Sequence, residues 1–225
     1  MKVKVIPYLV LFMAILYIFF IPAEPQGVKI FFKIIPMLLI IYFAFVIKQT
    51  DNKQSILLLI GLFFCMLGDG LLIWFVVGLT AFLIGHLFYT ASFLTSRHFS
   101  WLRASMALPI GLYSYIIAGE LVKALQSSGQ TSLIIPIIAY VCVISIMFWT
   151  AIMSGKIAAM FGSGLFVISD SILAWNKFVA SLPFAGELIM ITYYNAQFLI
   201  AYSLKKSEST DYETNKNEQI SSSIS

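Results

Sequence analysis

Residues 56–95 read ILLLIGLFFCMLGDGLLIWFVVGLTAFLIGHLFYTASFLT, and their reading decides the fold. The stretch carries one carboxylate, Asp69, and one imidazole, His86, with no lysine, arginine or glutamate. About 20 apolar residues in a helix cross a ~30 Å hydrocarbon layer. A run of twice that length therefore holds two spans, with a turn expected near Phe75–Gly78. Backbone polar groups in lipid must be satisfied internally, which leaves helices or a closed barrel. Barrel strands alternate apolar and polar side chains, and nothing here alternates over such a length. The fold class is all-α, a polytopic membrane protein.

The same reading extends in both directions. Of 225 residues, 60% are hydrophobic and 11% charged, with a mean hydropathy of +0.95; a soluble domain is about a quarter charged. Candidate spans are Val5–Ile21, Val28–Ile47, Ile56–Trp74, Gly78–Thr95, Ala104–Gly119, Leu133–Met153, Ile157–Asn176 and Phe184–Leu204. Residues 1–206 are thus expected to form one transmembrane domain of about eight spans. The first segment follows Lys2 and Lys4, and no A-x-A-like cleavage site comes after it, so it reads as a span and not a signal peptide. Residues 207–225, rich in Ser, Thr, Asn and Glu, are expected to be a disordered cytoplasmic tail. Cys65 and Cys142 lie in apolar runs without zinc-type spacing and read as small hydrophobes.

A net charge of +4 and a pI near 9.0 would suit a nucleic-acid binder, but the distribution points to topology. Lys2, Lys4, Lys48, Lys53, Arg97, Arg103, Lys156, Lys205, Lys206 and Lys216 fall on one side of the spans. Lys29, Lys123 and Lys177 fall on the other, with Lys33 inside a span. Basic loops stay in the cytoplasm. Both termini are therefore expected there, in the cell membrane, with no nucleic-acid partner.

The chain also repeats itself. Asp69-Gly70-Leu71-Leu72-Ile73-Trp74 matches Asp170-Ser171-Ile172-Leu173-Ala174-Trp175, and Gly61 and Gly162 stand eight residues before the two aspartates. Tyr89-Thr90-Ala91-Ser92-Phe93-Leu94 matches Tyr194-Asn195-Ala196-Gln197-Phe198-Leu199, and Ile34-Ile35-Pro36 matches Ile134-Ile135-Pro136. The matches come in order and nearly in register, which predicts a 4+4 duplication. Four is even, so the halves insert in parallel about an axis along the membrane normal. Spans three and seven are then expected as central neighbours, with Asp69 and Asp170 facing one cavity.

Ionisable groups in hydrocarbon cost several kcal/mol and mark functional candidates. Asp69 and Asp170 each lie about 20 Å along their helices from the cytoplasmic start, at 1.5 Å per residue. Lys33, His86, Glu187, Tyr194 and Asn195 reach the same outer-half layer. In span seven, Ser163, Asp170 and Lys177 share one heptad column, and Gly162, Ser169 and Asn176 the next, as in a cavity wall. His86 and Tyr89 share a face at i, i+3. Blander readings exist for the peripheral residues: Lys29 and Lys177 snorkel to the interface, Glu187 suits a helix first turn, and His86 bonds a helix neighbour. Mid-span aspartates have no such explanation.

At these residues the chain resembles the lysoplasmalogenase (YhhN-like) family of integral membrane hydrolases. The matching elements are Lys33 before Pro36, Gly68-Asp69 before Leu71-Leu72, and Gly85-His86-Leu87-Phe88-Tyr89. With them go Ser169-Asp170-Ser171-Ile172-Leu173-Ala174 with Asn176, and Tyr193-Tyr194 with Ala196-Gln197. The resemblance spans helices two to eight; Ile34-Ile35 between the lysine and the proline departs from the pattern. It implies cleavage of the vinyl ether of a lysoplasmalogen to a fatty aldehyde and a glycerophospho-head group, without a cofactor. Such hydrolysis needs a proton on the β-carbon and then water on the resulting cation. Two carboxyls suit it, one neutral to donate and one ionised to steady the cation and deprotonate water. Asp69 and Asp170 take those catalytic roles in an order the sequence leaves open. Lys33, His86, Tyr89, Ser169, Asn176, Tyr194, Asn195 and Gln197 form the supporting, substrate-binding set. The residues alone equally describe a proton-coupled small-molecule transporter using the same aspartate pair; a metallohydrolase with Asp69, His86 and Asp170 as ligands is a weaker reading, since the spans hold no second histidine. The resemblance favours the hydrolase.

Overall fold

The structure, a computed structural model, describes residues 2–22, 24–48, 52–96 and 99–205. The expected tail, together with Arg97, Lys206 and Lys216, lies outside the described residues. The chain forms α1 (Lys2–Phe19), α2 (Gln26–Ile47), α3 (Lys53–Leu71), α4 (Phe75–Leu94), a short α5 (Trp101–Ser105), α6 (Ala107–Ser127), α7 (Ile134–Met153), α8 (Ile157–Phe178) and α9 (Ala185–Tyr202). No strand occurs among the described residues. Local chemistry sets several ends. Asn52 caps α3 by accepting from the Ser55 backbone N–H at 2.9 Å. Gly129 and Gly155, both at φ +73°, close α6 and α7 in the left-handed conformation that favours glycine.

Among the described residues six segments, α5 and α6 counting as one, are long and apolar enough to cross a membrane by themselves. In α1 the apolar part, Val3–Phe19, is short, and α9 is diluted by Glu187, Asn195, Gln197 and its tyrosines. Phe31, Leu38, Phe45, Leu112, Tyr115 and Ile135 face outward. So wide an apolar exterior is a lipid-facing surface, since a soluble monomer does not carry one. This is an integral multi-pass membrane protein. The expected turn at Phe75–Gly78 falls slightly earlier, at Leu72–Trp74. Gly78 is the reason: its bare Cα packs on the Leu71–Leu72 backbone, so α4 folds back tightly on α3.

Helix packing follows the duplication. The hairpins α3–α4 and α8–α9 make the most extensive contacts, and α4 on α7 mirrors α9 on α2. The pairs α2–α3 and α7–α8 correspond in the same way. One element of the predicted repeat is corrected. The helix bounds, and the partners of the two aspartates described below, align Lys33 with Tyr140, which puts the Ile-Ile-Pro match about two helical turns out of register. A second correction concerns the centre: among the described residues the backbones of α3 and α8 do not pack directly on each other. Instead α3, α4, α7, α8 and α9 close a ring, filled by aromatic side chains.

The repeated glycines hold the hairpins together. A Cβ on Gly162 would meet the Ala196 carbonyl and Ile200 at 2.9 Å, and one on Gly61 would enter the Tyr89 ring. Gly162→Leu is expected to force α8 from α9 and destabilise the fold by about 1–3 kcal/mol. Gly119→Ala, where a methyl meets nothing within 4 Å, should melt like wild type. Thermal unfolding in detergent compares the two; equal melting would show that the hairpin does not depend on the close approach.

Candidate functional site

Each aspartate has its own partners. Asp69, near the end of α3, is almost fully buried, its side chain 2% exposed. Lys33 Nζ from α2 lies 3.0 Å from its Oδ1, and the Tyr193 hydroxyl from α9 donates to its Oδ2 at 2.7 Å. Both oxygens of this carboxylate are engaged. Asp170 on α8 accepts from the Tyr140 hydroxyl of α7 through Oδ2, and among the described residues nothing bonds its Oδ1. The repeat is legible here: span two supplies the partner of the first aspartate and span six that of the second.

The two carboxyls take their partners from different helices, and no hydrogen bond links them among the described residues. A continuous series of ring contacts joins them. Tyr193 stands edge-on to Phe166 (centroids 5.4 Å apart), Phe166 to His86 (4.6 Å) and His86 to Tyr140 (5.3 Å). His86 is fully buried, and neither of its nitrogens has a hydrogen-bond partner among the described residues. The expected bond to a helix neighbour is absent. Among the described residues no group of three His, Cys, Asp or Glu side chains is placed to hold a metal ion, so Asp69, His86 and Asp170 do not form a ligand set.

The other predicted residues divide into two kinds. Tyr89 donates to Gln197 Oε1 at 2.6 Å in the core, and the Gln197 amide nitrogen is left without a partner among the described residues. Tyr194 donates to the Lys33 carbonyl at 2.8 Å and so fixes the helix that carries the lysine. The remaining three are hydrogen-bonded within the bundle. Ser169 bonds the Ile189 carbonyl across α8–α9, Asn176 accepts from the Leu182 N–H in the following loop, and Asn195 bonds back to Ile191 on its own helix. Sequence reasoning missed Tyr140 as a site residue and quoted Tyr193 without a role. The signal for Tyr140 was present, since it shares the buried stripe Ile137–Tyr140–Ile144–Met147 of α7.

Two cavities adjoin the aspartates. A groove between α4, α6, α7 and α8 is lined by Phe75, Leu79, Ile117, Val141 and Phe178, with Asp170 on its wall. Tyr113 bonded to Ser171, and Ser114 bonded to Ser145, are its polar rungs. A cleft at the opposite end of the bundle from Lys156 and Ser203 is lined by Tyr17, Lys29, Lys33 and Glu187. Leu72 and Leu173 line both. They are repeat equivalents, each three residues after its aspartate, and they form the wall common to groove and cleft.

The YhhN family model matches residues 28–204, from the first turn of α2 to just past α9. The chain belongs to the YhhN family. Over 83% of its length this YhhN protein is 32% identical to a mouse protein named lysoplasmalogenase TMEM86B, of which it covers 80%. The human protein of that name is 33% identical over 78% of the chain and 74% of the relative. Human lysoplasmalogenase TMEM86A is 34% identical over 66% of the chain and 65% of the relative. No solved structure matches it. Every residue of the aspartate site except Tyr17 falls within the YhhN match; α1 stands outside it.

Proposed function

We propose that this YhhN protein hydrolyses the vinyl ether of lysoplasmalogens, as the names of its relatives state for them, with Asp170 as the acid and Asp69 as the anion. The observation that carries the reading is the groove: one apolar channel, open between helices, with a single carboxyl on its wall. On this reading a lone alkenyl chain lies against the apolar lining, entering sideways from the leaflet. Asp170 keeps Oδ1 free toward the groove while Tyr140 holds Oδ2, so one oxygen is positioned and the other can deliver a proton. The proton goes to the β-carbon of the vinyl ether and the α-carbon becomes an oxocarbenium ion. Water adds to that carbon and gives its proton to the Asp170 carboxylate, which restores the acid, and the hemiacetal collapses to aldehyde and glycerol hydroxyl. Asp69, on the other side of the packed rings from Asp170, is the anion in this reading. Lys33 and Tyr193 hold it in place, which is the preorganisation that electrostatic stabilisation needs.

The test is mass spectrometry of lysolipids incubated with purified protein, reading released aldehyde, with liposome uptake measured in parallel. Aldehyde release without uptake is the expected result. Uptake of intact substrate with no aldehyde would replace the hydrolase by a transporter.

The site belongs, on this reading, to the outer leaflet, because the basic loops mark the other end as cytoplasmic. Lys156 Nζ bonds the Ser203 carbonyl at 3.1 Å, so the α7–α8 loop and the end of α9 share that end. In a Cys142→Ser background, a cysteine at Ser127 should react with an impermeant reagent from outside, and one at Ser209 only after permeabilisation. Reversed labelling would move the site to the inner leaflet.

A further inference from the structure

The two halves of the chain agree in their inner helices and differ in their outer ones. By the duplication α1 corresponds to α6, and α9 to α4. In the first half α1 packs on α2 and on α9, with the Tyr17 ring edge-on to Tyr194 at 6.1 Å. Ile6, Val10, Ala14 and Tyr17 bury one stripe along its length. In the second half α6 packs on α7 and, out of symmetry, on α8. Among the described residues its backbone does not pack on that of α4. Its buried residues are Leu121 and Leu125, near its C-terminal end. There they join Ile137 in an apolar cluster that Leu79 of α4 also touches.

The aspartates register this difference. Asp69, in the half where α1 closes over the bundle, is buried, whereas Asp170, in the half that α6 leaves open, is partly exposed. The groove beside Asp170 has side chains of both α4 and α6 in its wall. Rings bridge α4 to α8, Phe75 with Phe178 and Phe82 with Phe166, at 5.5 and 6.3 Å between centroids. Among the described residues no ring contact, hydrogen bond or ion pair joins α4 to α6. Beside the groove α6 is tied by the Tyr113 hydroxyl, which donates to Ser171 Oγ at 2.8 Å, and by the Ser114 and Ser145 hydroxyls, 2.6 Å apart. Two neutral hydrogen bonds are a weaker hold than the apolar stripe that α1 buries.

We propose that α6 is the gate of the Asp170 groove. In the arrangement seen, the seam between α4 and α6 admits one alkyl chain from the bilayer, and closure brings α6 onto α4 as α1 already lies on α9. Packed interfaces switch between discrete arrangements, and duplicated halves that pack differently display the two states of one device. Closure breaks the Tyr113–Ser171 tie, pivots on the Leu121–Leu125 cluster and completes the wall around Asp170. Further lipid and water are then shut out, as lids do. The inference rests on the hydrolase reading of this groove and adds its entrance and its lid.

Two measurements on the full-length protein in phosphatidylcholine nanodiscs test the gate. Both use a Cys142→Ser background, in which the remaining Cys65 is buried. Spin labels on Leu87→Cys and Leu112→Cys, at outward-facing positions of α4 and α6, read the separation of the two helices. Saturated 1-hexadecylglycerol, whose ether is not a vinyl ether, should shorten it toward that of packed helices, about 8–10 Å between axes. A distance distribution that this lipid leaves unchanged would overturn the gate. In the second measurement Ser114→Cys and Ser145→Cys, replacing hydroxyls already 2.6 Å apart, form a disulfide that fixes α6 in the arrangement seen. Oxidation should lower aldehyde release from a lysoplasmalogen roughly tenfold or more, and reductant should restore it. Locked protein that turns over at the rate of the reduced form overturns the gate and spares the hydrolase. Lipid-driven shortening in a protein that releases no aldehyde from any vinyl ether sustains the gate and removes the hydrolase.

Discussion

Asp170→Asn is expected to lower aldehyde release at least ~10²-fold, the usual size of a general acid contribution, while the protein inserts and melts normally. The amide oxygen can still accept the Tyr140 hydroxyl, so the side chain keeps its orientation. At the free position an NH₂ replaces the oxygen that carries the transferable proton. A neutral side chain in lipid also carries less desolvation cost than a charge, so no loss of folding follows from the substitution itself. Asp69→Asn should cost a similar factor by a different route, through loss of the anion that offsets the developing cation. The double variant should then lose far less than the product of the two single losses, because the groups act on one transition state. Aldehyde measured by mass spectrometry from purified variants decides this. Near-wild-type turnover in a normally inserted Asp170→Asn protein would sink the assignment of the acid. Multiplying losses would show that the carboxyls work independently, in keeping with their separate surroundings.

Lys33→Met is expected to have the largest effect on stability. The Lys33–Asp69 pair is 13% and 2% exposed at its two side chains, too little for water to screen what remains. Removing one member of a buried ion pair leaves the other as an uncompensated charge, which costs about 3–5 kcal/mol. Tyr193 alone would then solvate Asp69, through one hydrogen bond at 2.7 Å. The double variant Lys33→Met with Asp69→Asn should recover most of the loss, since replacing both charges is nearly neutral where removing one is not. Thermal unfolding of the three proteins in one detergent reads the cycle. A single variant that melts with wild type would show that the pair is solvated after all. A double variant as unstable as the single would mean that the methionine side chain fails there for reasons of packing, not charge.

Much of this protein was legible in the chain itself. Hydrocarbon tolerates few structures, so composition and run length settled the order of the spans and most of their bounds; the fifth, expected at Ala104–Gly119, is the exception, a short α5 followed by α6 running on to Ser127. The Asp-x-x-Leu and Gly repeats announced the duplication, because the same local packing demands, a bare Cα at Gly61 and Gly162, recur in both halves. The charge of a mid-span aspartate is costly wherever it lies, which makes Asp69 and Asp170 conspicuous in the sequence alone. Their partners were not legible. Lys33 to Asp69, Tyr193 to Asp69 and Tyr140 to Asp170 are contacts between different helices. Helical periodicity states which face a residue occupies, and it is silent on which neighbour that face meets. It also cannot say how far two spans stand apart, so the direct meeting of spans three and seven was expected and a ring of five helices was found. Only the packed bundle separated one aspartate, locked between a lysine and a tyrosine, from the other, left with a free oxygen on the wall of an apolar groove. That difference arises because side chains of the same type take their chemistry from the groups that tertiary packing brings within hydrogen-bonding distance.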